Sequence, residues 1–266
     1  MNLADLEGSW AIVTGASTGI GREFAEQLAR RKINLVLVAR RGELLDLLAA
    51  ALRRAQGVQV QTLALDLADS TSVDQLQQFL EGLAIRPRLL VNNAGIGRWG
   101  RFEGGGSDPQ ACRRMLMVNA VALMETCAAM FPALTGQRPS AIINLSSPAA
   151  FQPMPFMAAY GASKAFVHHL SLALYEEWRE QGVYVQTLVP GPTATEFDLL
   201  AGAYSSKLAD KRDPPAKAVI ASLLAFDRED PLVISASGTV AQRLFAALAP
   251  TRILLQKVGQ MFRPRN

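Results

Sequence analysis

The chain has 266 residues, of which 50% are hydrophobic and 19% are charged, and its formal net charge is +4. This composition supports a large buried core and argues against disorder, and the length is compatible with a single α/β domain. Cys112 and Cys127 form neither a disulfide framework nor a metal-ligand spacing, so we expect ordinary buried helix residues, a reducing cytoplasm and no bound metal.

The positive charge lies at the C-terminal end of the chain. Residues 241–266 contain five basic residues and no acid, so the total of +4 leaves the first 240 residues with a net charge of −1. A nearly neutral body does not favour nucleic-acid binding. The N-terminus lacks the basic start and apolar stretch of a signal peptide, and no apolar run reaches the ~18 residues of a membrane span.

Short apolar segments alternate with longer helical patterns along the chain. The segments that predict strands are 11–16, 34–40, 58–67, 89–95, 141–147 and 183–191, with 231–237 as a weaker seventh. Helical patterns occupy 20–30, 43–55, 72–83, 109–134, 158–181 and 215–227. Strands that are apolar almost throughout are typical of a parallel sheet covered on both faces. The alternation therefore predicts an α/β fold, a doubly wound parallel sheet of about seven strands with helices on both faces.

We assign residues 1–240 to this single domain and residues 241–266 to a basic amphipathic helical extension of it. Pro250 is expected to divide the extension into two pieces. A basic amphipathic helix can lie on an anionic membrane, and it can equally cover the body of the protein or a second subunit. Both interpretations remain open from the sequence.

The stretch "TGASTGIG" (14–21) follows the first predicted strand and opens the first predicted helix. Its glycines permit a tight turn and close approach of a ligand, and the backbone N–H groups at the start of the helix can bind a pyrophosphate. A plain tight turn is the alternative. The strand before it and the amphipathic helix after it favour nucleotide binding.

The second predicted strand ends at Arg40, 19 residues after Gly21, in the sequence "ARR". An acid at this point would bind the ribose hydroxyls of NAD, whereas an arginine suits the 2′-phosphate of NADP through a charge-assisted contact. The alternative is that Arg40 and Arg41 form a solvated surface pair. We expect NADP(H) as the cofactor.

Tyr160 and Lys164 lie four residues apart in "AAYGASKAF" (158–166), within a predicted helix. Side chains at this spacing share one helix face. A cation roughly 5 Å from a phenolate stabilises it by roughly 3 kcal/mol at an effective dielectric near 20, which is about two pKa units. A surface accident is the alternative, but the pair suits a phenol tuned for proton transfer.

Further short motifs follow in a fixed order: "LDL" (65–67), "NNAG" (92–95), "MVNA" (117–120), "NLSS" (144–147) and "PGPTATEF" (190–197). With the glycine turn and "YGASK" (160–164), they make the chain resemble the short-chain dehydrogenase/reductase superfamily over about residues 8–200. The resemblance implies a Rossmann-type fold and an NADP(H)-dependent oxidoreductase that transfers a hydride between nicotinamide and a carbonyl or alcohol. It also implies a homo-oligomer, either a dimer or a tetramer.

The resemblance implies catalytic roles for four residues, Asn119, Ser147, Tyr160 and Lys164. Tyr160 would be the general acid/base, and Ser147 would bind the substrate oxygen. Asn119 would hold a water that links Lys164 to solvent, with a helix kink or a backbone hydrogen bond as the alternative. Ser147 is preferred to Ser146 because it lies 13 residues before Tyr160, the usual interval in this family.

The resemblance also implies a set of cofactor-binding residues, in which Asp66 would bind the adenine amino group and Thr195 the carboxamide. The set is Gly15, Ser17, Thr18, Gly19, Ile20, Arg40, Asp66, Leu67, Asn93, Ala94, Gly95, Tyr160, Lys164, Pro190, Thr193 and Thr195.

Apolar residues that follow Ser147 and the sixth strand would flank the nicotinamide, with core packing as the alternative for each. The main candidates for the substrate pocket are Phe151, Met154 and Phe197, and the further candidates are Phe156, Met157, Leu199, Leu200 and Tyr204. They predict a moderately apolar ketone or aldehyde, or the corresponding alcohol, as substrate. His168 and His169 are expected to serve packing or a subunit contact.

Two classes of function compete. The first is an oxidoreductase, and the second is a catalytically idle sensor or scaffold that binds NADP. The presence of Ser147, Tyr160 and Lys164 together favours the enzyme.

Overall fold

The computed structural model describes residues 1–103, 108–202, 212–236 and 238–263. Within these residues seven parallel strands form one sheet in the order β3-β2-β1-β4-β5-β6-β7. The strands are β1 (Trp10–Thr14), β2 (Asn34–Ala39), β3 (Val60–Ala64), β4 (Pro87–Asn92), β5 (Ser140–Leu145), β6 (Val183–Val189) and β7 (Leu232–Ile234). This architecture confirms the predicted doubly wound, Rossmann-type sheet.

Each strand overlaps its predicted segment, but every predicted segment runs one to three residues past the carboxyl end of the strand. Most of the residues between the observed and the predicted ends are apolar or small, like those of the strands, but they lie beyond the ends of the strands. In an open α/β sheet, ligands bind outside the carboxyl ends of the strands, next to the point where the strand order reverses. Here that point lies between β1 and β4.

The described helices alternate with the strands as predicted. They are α1 (Gly19–Arg30), α2 (Gly42–Gln56), α3 (Ser72–Gly82), α4 (Pro109–Leu116), α5 (Ala122–Thr135), α6 (Ala158–Arg179), α7 (Phe197–Leu200), α8 (Pro215–Leu224), α9 (Thr239–Leu248) and α10 (Thr251–Phe262). A π-helical turn, Met117–Val121, joins α4 to α5, and a short 3₁₀ turn, Pro148–Phe151, follows β5.

The core has two layers, one on each face of the sheet. Ala11 and Val13 of β1 contact the layer that includes α1, α2 and α8, whereas Ile12 contacts the layer that includes α3, α5 and α6. Successive strand residues point to opposite faces, so both sets are buried and the sequence of β1 is apolar through most of its length. The prediction of helices on both faces is confirmed.

One helical stretch among the described residues, Pro109–Thr135, is long and apolar enough to cross a membrane by length and composition alone. Half of the most apolar 18 residues of this stretch are buried inside the protein, and Leu123, Met130 and Leu134 belong to the second core layer. These contacts are those of a core helix. Cys127 on this helix is buried, and burial raises the pKa of its thiol to about 12, whereas Cys112 is partly exposed.

The C-terminal residues fold back on the body as two helices, α9 and α10, and Pro250 lies between them as predicted. Leu254 and Val258 of α10 are buried in a third apolar cluster together with Tyr160. The indole N–H of Trp99 donates a hydrogen bond of 2.8 Å to the carbonyl of Phe262 and holds the end of α10. The extension therefore packs on the domain, next to the predicted catalytic helix.

Candidate active site

A cavity of about 1040 Å³ lies at the carboxyl ends of the strands. All of the predicted cofactor-binding residues line it, from Gly15 in the first turn to Thr195 after β6. Ser147, Tyr160 and Lys164 line it as well. The fold thus brings the glycine turn and three of the four predicted catalytic residues to one continuous site.

The glycine turn is held by groups around it. Gly15 and Gly19 have φ angles of +66° and +59°, which disfavour other residues. The Asn93 amide donates to the carbonyls of Thr14 (2.8 Å) and Gly15 (3.2 Å). Thr18, at the N-cap position of α1, makes no side-chain hydrogen bond to the helix. The backbone N–H groups of the first turn of α1 therefore suit a pyrophosphate.

Thr14 is an organising residue that the sequence reasoning missed. Its hydroxyl oxygen accepts hydrogen bonds of 3.0 Å from the backbone N–H groups of both Asn93 and Ala94, and its O–H faces the Val91 carbonyl at 3.3 Å. It joins the ends of β1 and β4 beneath the glycine turn. A hydroxyl residue directly before the first glycine was the available signal.

The two arginines after β2 have different surroundings. Arg41 forms an ion pair of 2.9 Å with Glu196 and donates to the hydroxyls of Ser17 and Thr18. Arg40 lines the cavity, and no carboxylate of the described residues lies within 4.0 Å of its guanidinium. Arg40 therefore lies at the nucleotide end of the cavity without a close carboxylate partner among the described residues, although its charge contributes to lowering the pKa of Asp66.

Asp66, the predicted adenine ligand, forms an ion pair with Arg114 of α4, and both residues line the cavity. Partial burial raises the pKa of Asp66, but the hydrogen bond from the Ala68 N–H and the contact with Arg114 outweigh it and lower the pKa below its ordinary value. Asp66 is therefore a charged acceptor at neutral pH. Arg114 could not be found from the sequence, because it lies in a helix far along the chain.

Tyr160 and Lys164 occupy one face of α6, and both side chains are buried. The Lys164 ammonium donates a hydrogen bond of 2.8 Å to the carbonyl of Leu145 at the end of β5. Burial lowers the pKa of Lys164 to about 8. The Tyr160 ring packs against Phe197 with centroids 5.4 Å apart. A surface pair is excluded by this burial.

The two serines after β5 differ in what they contact. The Ser146 hydroxyl is buried and donates to the carbonyl of Lys164 at 2.9 Å, so that it ties α6 to the sheet. The Ser147 oxygen accepts the backbone N–H of Ala149 at 3.2 Å. The O–H of Ser147 is therefore left to donate, which favours Ser147 as the residue that binds the substrate oxygen.

Asn119 is buried in the π-helical turn and is absent from the cavity wall that the described residues form. Its oxygen accepts the N–H of Ile96 at 2.9 Å, and its amide donates to the carbonyl of Ile96 and the hydroxyl of Ser163. These contacts match the helix-distortion and backbone-bonding alternative, and they make Asn119 a positioning residue between β4 and α6. The water link remains a prediction.

The substrate end of the cavity is apolar. Met154 and Phe197 line it as predicted, as do Met157 and Leu200. Helices α9 and α10 supply much of the opposite wall through Phe245, Leu254, Val258, Met261 and Phe262. The sequence predicted an amphipathic extension that could cover the body of the protein, but it did not indicate that these side chains line the active site.

Phe151 does not line the cavity, contrary to the prediction. Its ring packs edge-on against His168 with centroids 5.0 Å apart, and the Arg243 guanidinium lies 5.4 Å from its centre. The 3₁₀ turn after Ser147 directs this side chain toward α6 and α9. Phe156 and Leu199 also lie outside the cavity wall, and Tyr204 lies outside the described residues.

His168 is buried in this cluster, and its ring also lies against His169. Burial, and then the charges of His169 and Arg243, lower the pKa of His168 to about 4. In the unfolded chain, His168 binds a proton as the pH falls below its ordinary pKa of about 6.5. In the folded protein, His168 binds that proton only when the pH falls to about 4. His168 thus destabilises the folded protein in acid.

We expect the free energy of unfolding to fall by about 2–3 kcal/mol from this group as the pH drops from 6.5 to 4. Urea denaturation at several pH values would measure the loss. His168→Gln is the matched variant, because it keeps a polar side chain that does not titrate. An equal acid loss in wild type and variant would show that another group is responsible.

The described residues contain no group of three or more His, Cys, Asp or Glu side chains placed to hold a metal ion.

A family model described as short chain dehydrogenase matches residues 9–201. The chain belongs to the short-chain dehydrogenase family. Among curated relatives, the very-long-chain 3-oxoacyl-CoA reductase of Bos taurus is 32% identical over 192 residues, which are 71% of this chain and 61% of that protein. The reductase of the same name from Neurospora crassa is 36% identical over 186 residues, 69% of this chain and 55% of that protein. The match thus spans less than two thirds of these relatives.

Solved structures cover more of the chain. A short-chain dehydrogenase from Sphingobium yanoikuyae in complex with NADPH superposes with a TM-score of 0.81 at 35% identity, over 94% of this chain and 95% of that one. The bulky-bulky ketone specific alcohol dehydrogenase from Comamonas testosteroni gives a TM-score of 0.76 at 31% identity, over 97% of this chain and 95% of that one. These similarities support a nicotinamide cofactor.

Proposed function

We propose that the protein is an NADPH-dependent oxidoreductase that transfers a hydride between nicotinamide and an apolar ketone or aldehyde, or the corresponding alcohol. The observation that carries this proposal is the presence of Ser147, Tyr160 and buried Lys164 in the cavity that also holds the glycine turn and Arg40. The NADPH complex and the bulky-ketone enzyme among the similar structures support it.

The cofactor supplies the hydride, and Tyr160 supplies or accepts the proton. A free phenol has a pKa of about 10, which is too high for easy exchange near neutral pH. A cation beside a phenol favours the phenolate, and the buried Lys164 lies one helical turn from Tyr160 on α6. Because the pKa of Lys164 is itself lowered to about 8, its effect on Tyr160 is largest below that pH.

The Ser147 hydroxyl would donate a hydrogen bond to the substrate carbonyl oxygen, which gains negative charge during reduction. Its O–H donor is held in position by the N–H of Ala149 and lies in the same cavity as Tyr160. A donor fixed in advance stabilises developing charge better than one that must reorient. Ser147 and Tyr160 together would bind one carbonyl oxygen.

An idle sensor or scaffold is the competing function. Burial of an ammonium group is unfavourable for folding, and Lys164 is only 5% exposed. A protein that used only the cofactor-binding turn would gain nothing from a buried lysine beside a buried tyrosine. The pair therefore favours the enzyme.

One kinetic test addresses the proposal directly. NADPH oxidation would be followed with a series of carbonyls that runs from small ketones to ketones with two bulky apolar groups. The wide, apolar wall predicts faster turnover of the bulky members. Tight NADPH binding without turnover of any carbonyl in the series would favour the sensor or scaffold.

Arg40→Ala is expected to raise the dissociation constant of NADPH by about 10- to 100-fold and to leave that of NADH nearly unchanged. The reason is the loss of a charge-assisted contact to the 2′-phosphate, which is worth about 1.5–3 kcal/mol. Titrations followed by nicotinamide fluorescence would measure both constants.

Arg54→Ala is the control for this experiment, because Arg54 is an exposed arginine at the end of α2 and does not line the cavity. It should change neither constant. Equal weakening of NADPH and NADH by Arg40→Ala would overturn the assignment of Arg40 to the 2′-phosphate.

We further propose a cytoplasmic location, a homo-oligomer, and a single domain that includes residues 241–266 as its extension. The packing of Leu254 and Val258 beside Tyr160 supports the last of these.

A further inference from the structure

Helix α9 carries apolar side chains on its exposed side. Val240, Leu244 and Leu248 are 59%, 58% and 82% exposed. They are spaced by four residues and therefore form one stripe along the helix, which we call the α9 stripe. A surface helix of a soluble domain usually directs such a stripe inward, so this one indicates a partner.

The C-terminal segment that carries the α9 stripe is basic. Arg243 and the α10 residues Arg252 and Lys257 are exposed, as is Arg263 directly after α10. No Asp or Glu occurs anywhere in residues 241–266. Exposed apolar side chains on a basic segment that contains no acid match the interface of a membrane that contains anionic lipids.

The α9 stripe belongs to a tail that is held against the body. Leu254 and Val258 are buried, and the Trp99 indole binds the carbonyl of Phe262. Arg243 also contacts the Phe151 ring with its guanidinium. The exposed leucines therefore project from an anchored pair of helices, so little ordering would be needed on docking.

The mouth of the cavity adjoins this surface. Leu200, Phe245 and Met261 line the cavity and yet are 66%, 38% and 60% exposed. Phe245 lies on the same helix as the α9 stripe, and the Lys257 ammonium lies 4.9 Å from the centre of its ring. Helix α9 thus carries both the exposed stripe and part of the rim of the cavity.

We propose that helices α9 and α10 dock the protein on an anionic membrane surface, with the cavity mouth facing the lipid. The α9 stripe enters the boundary between headgroups and acyl chains. The four exposed tail cations, Arg243, Arg252, Lys257 and Arg263, contact anionic headgroups, and two of them, Arg243 and Lys257, also lie over aromatic rings of the protein. An apolar carbonyl substrate dissolved in the bilayer then enters between Leu200, Phe245 and Met261. Only this substrate route rests on the proposed function, and the docking does not.

A second copy of the chain fits this surface less well. In a two-fold symmetric contact the same patch faces itself, so the four tail cations of one copy would approach those of the other. No acid in residues 241–266 is present to compensate them. Charge complementarity therefore favours an anionic lipid surface.

Flotation of the full chain, saturated with NADP, with vesicles would test the docking. We expect binding to vesicles of phosphatidylcholine and phosphatidylglycerol, little binding to phosphatidylcholine alone, and release by high salt. The double variant Leu244→Ser/Leu248→Ser should lower the partition coefficient by about tenfold or more. Leu47→Ser/Leu224→Ser is the matched control, since Leu47 and Leu224 are 69% and 65% exposed on α2 and α8.

The outcomes separate docking from catalysis. Neither leucine of the test variant lines the cavity, so its turnover of a water-soluble ketone should equal that of wild type. Vesicle binding without any carbonyl turnover would uphold the docking and overturn the proposed function. Equal flotation of the test and control variants would overturn the docking. The docking would also be overturned if the wild-type protein were a dimer that does not bind vesicles and the test variant were a monomer. The α9 stripe would then bind a second copy of the chain.

Discussion

Tyr160→Phe is expected to lower kcat/KM for carbonyl reduction by about two to four orders of magnitude, the usual contribution of a positioned general acid. The substitution removes the phenolic proton and keeps the ring. That ring is buried against Phe197, so the packing around it and the fold should persist. Steady-state kinetics with NADPH and a bulky ketone would give the loss, and fluorescence titration would show that NADPH still binds.

Tyr184→Phe provides a control with the same chemical change. The Tyr184 hydroxyl donates to the carbonyl of Asp230 at 2.7 Å and accepts from the Gln186 amide at 2.8 Å, outside the cavity. Its loss should lower the free energy of unfolding by about 1–3 kcal/mol and leave kcat/KM unchanged. Full activity of Tyr160→Phe would mean that the proton comes from another group.

Lys164→Met is expected to abolish most activity and to stabilise the protein without cofactor. Activity should fall by about 100-fold or more, because the tuning of Tyr160 is lost. Stability should rise because Lys164 is buried, and burial lowers its pKa from 10.5 to about 8. At neutral pH this difference in pKa corresponds to a destabilisation of the wild-type protein by about 3 kcal/mol. The variant regains only part of this free energy, because Met leaves the Leu145 carbonyl without its hydrogen-bond donor.

The pH dependence gives a second readout. Between pH 8 and 10.5 the unfolded chain retains the Lys164 proton that the folded protein has lost, so the stability of wild type rises with pH in this window. Lys164→Met should lack that rise. Denaturation by guanidinium chloride at neutral pH and at the top of the window would compare the two proteins, with exposed Lys32→Met as the control for loss of a surface charge. A variant less stable than wild type at neutral pH would show that burial of the charge is not the dominant cost.

The sequence was most informative where local geometry determines the result. The strands were readable because parallel strands buried on both faces are continuous apolar segments. Tyr160 and Lys164 could be paired because four residues make one helical turn. The glycine turn and Arg40 could be placed because both lie at the ends of adjacent strands. Each of these relations spans few residues or follows from the sheet order.

The features that the sequence did not reveal depend on tertiary contacts. Arg114 reaches Asp66 only because α4 lies over the nucleotide end of the cavity. The direction of the Phe151 side chain depends on the 3₁₀ turn that begins after Ser147. Asn119 was recognised by its motif, but its bonds to Ile96 and Ser163 come from the packing of the π-helical turn. No local pattern encodes such contacts.

The family match ends at residue 201, whereas the outer wall of the substrate end comes from α9 and α10. The glycine turn and the predicted proton-transfer residue Tyr160 therefore lie in one stretch of the chain, and the opposite wall of the cavity lies in another. Substitutions in α9 and α10 change that wall without removing a predicted cofactor or catalytic residue. Under the proposed function, substrate selectivity could be altered by exchange of this short C-terminal segment alone.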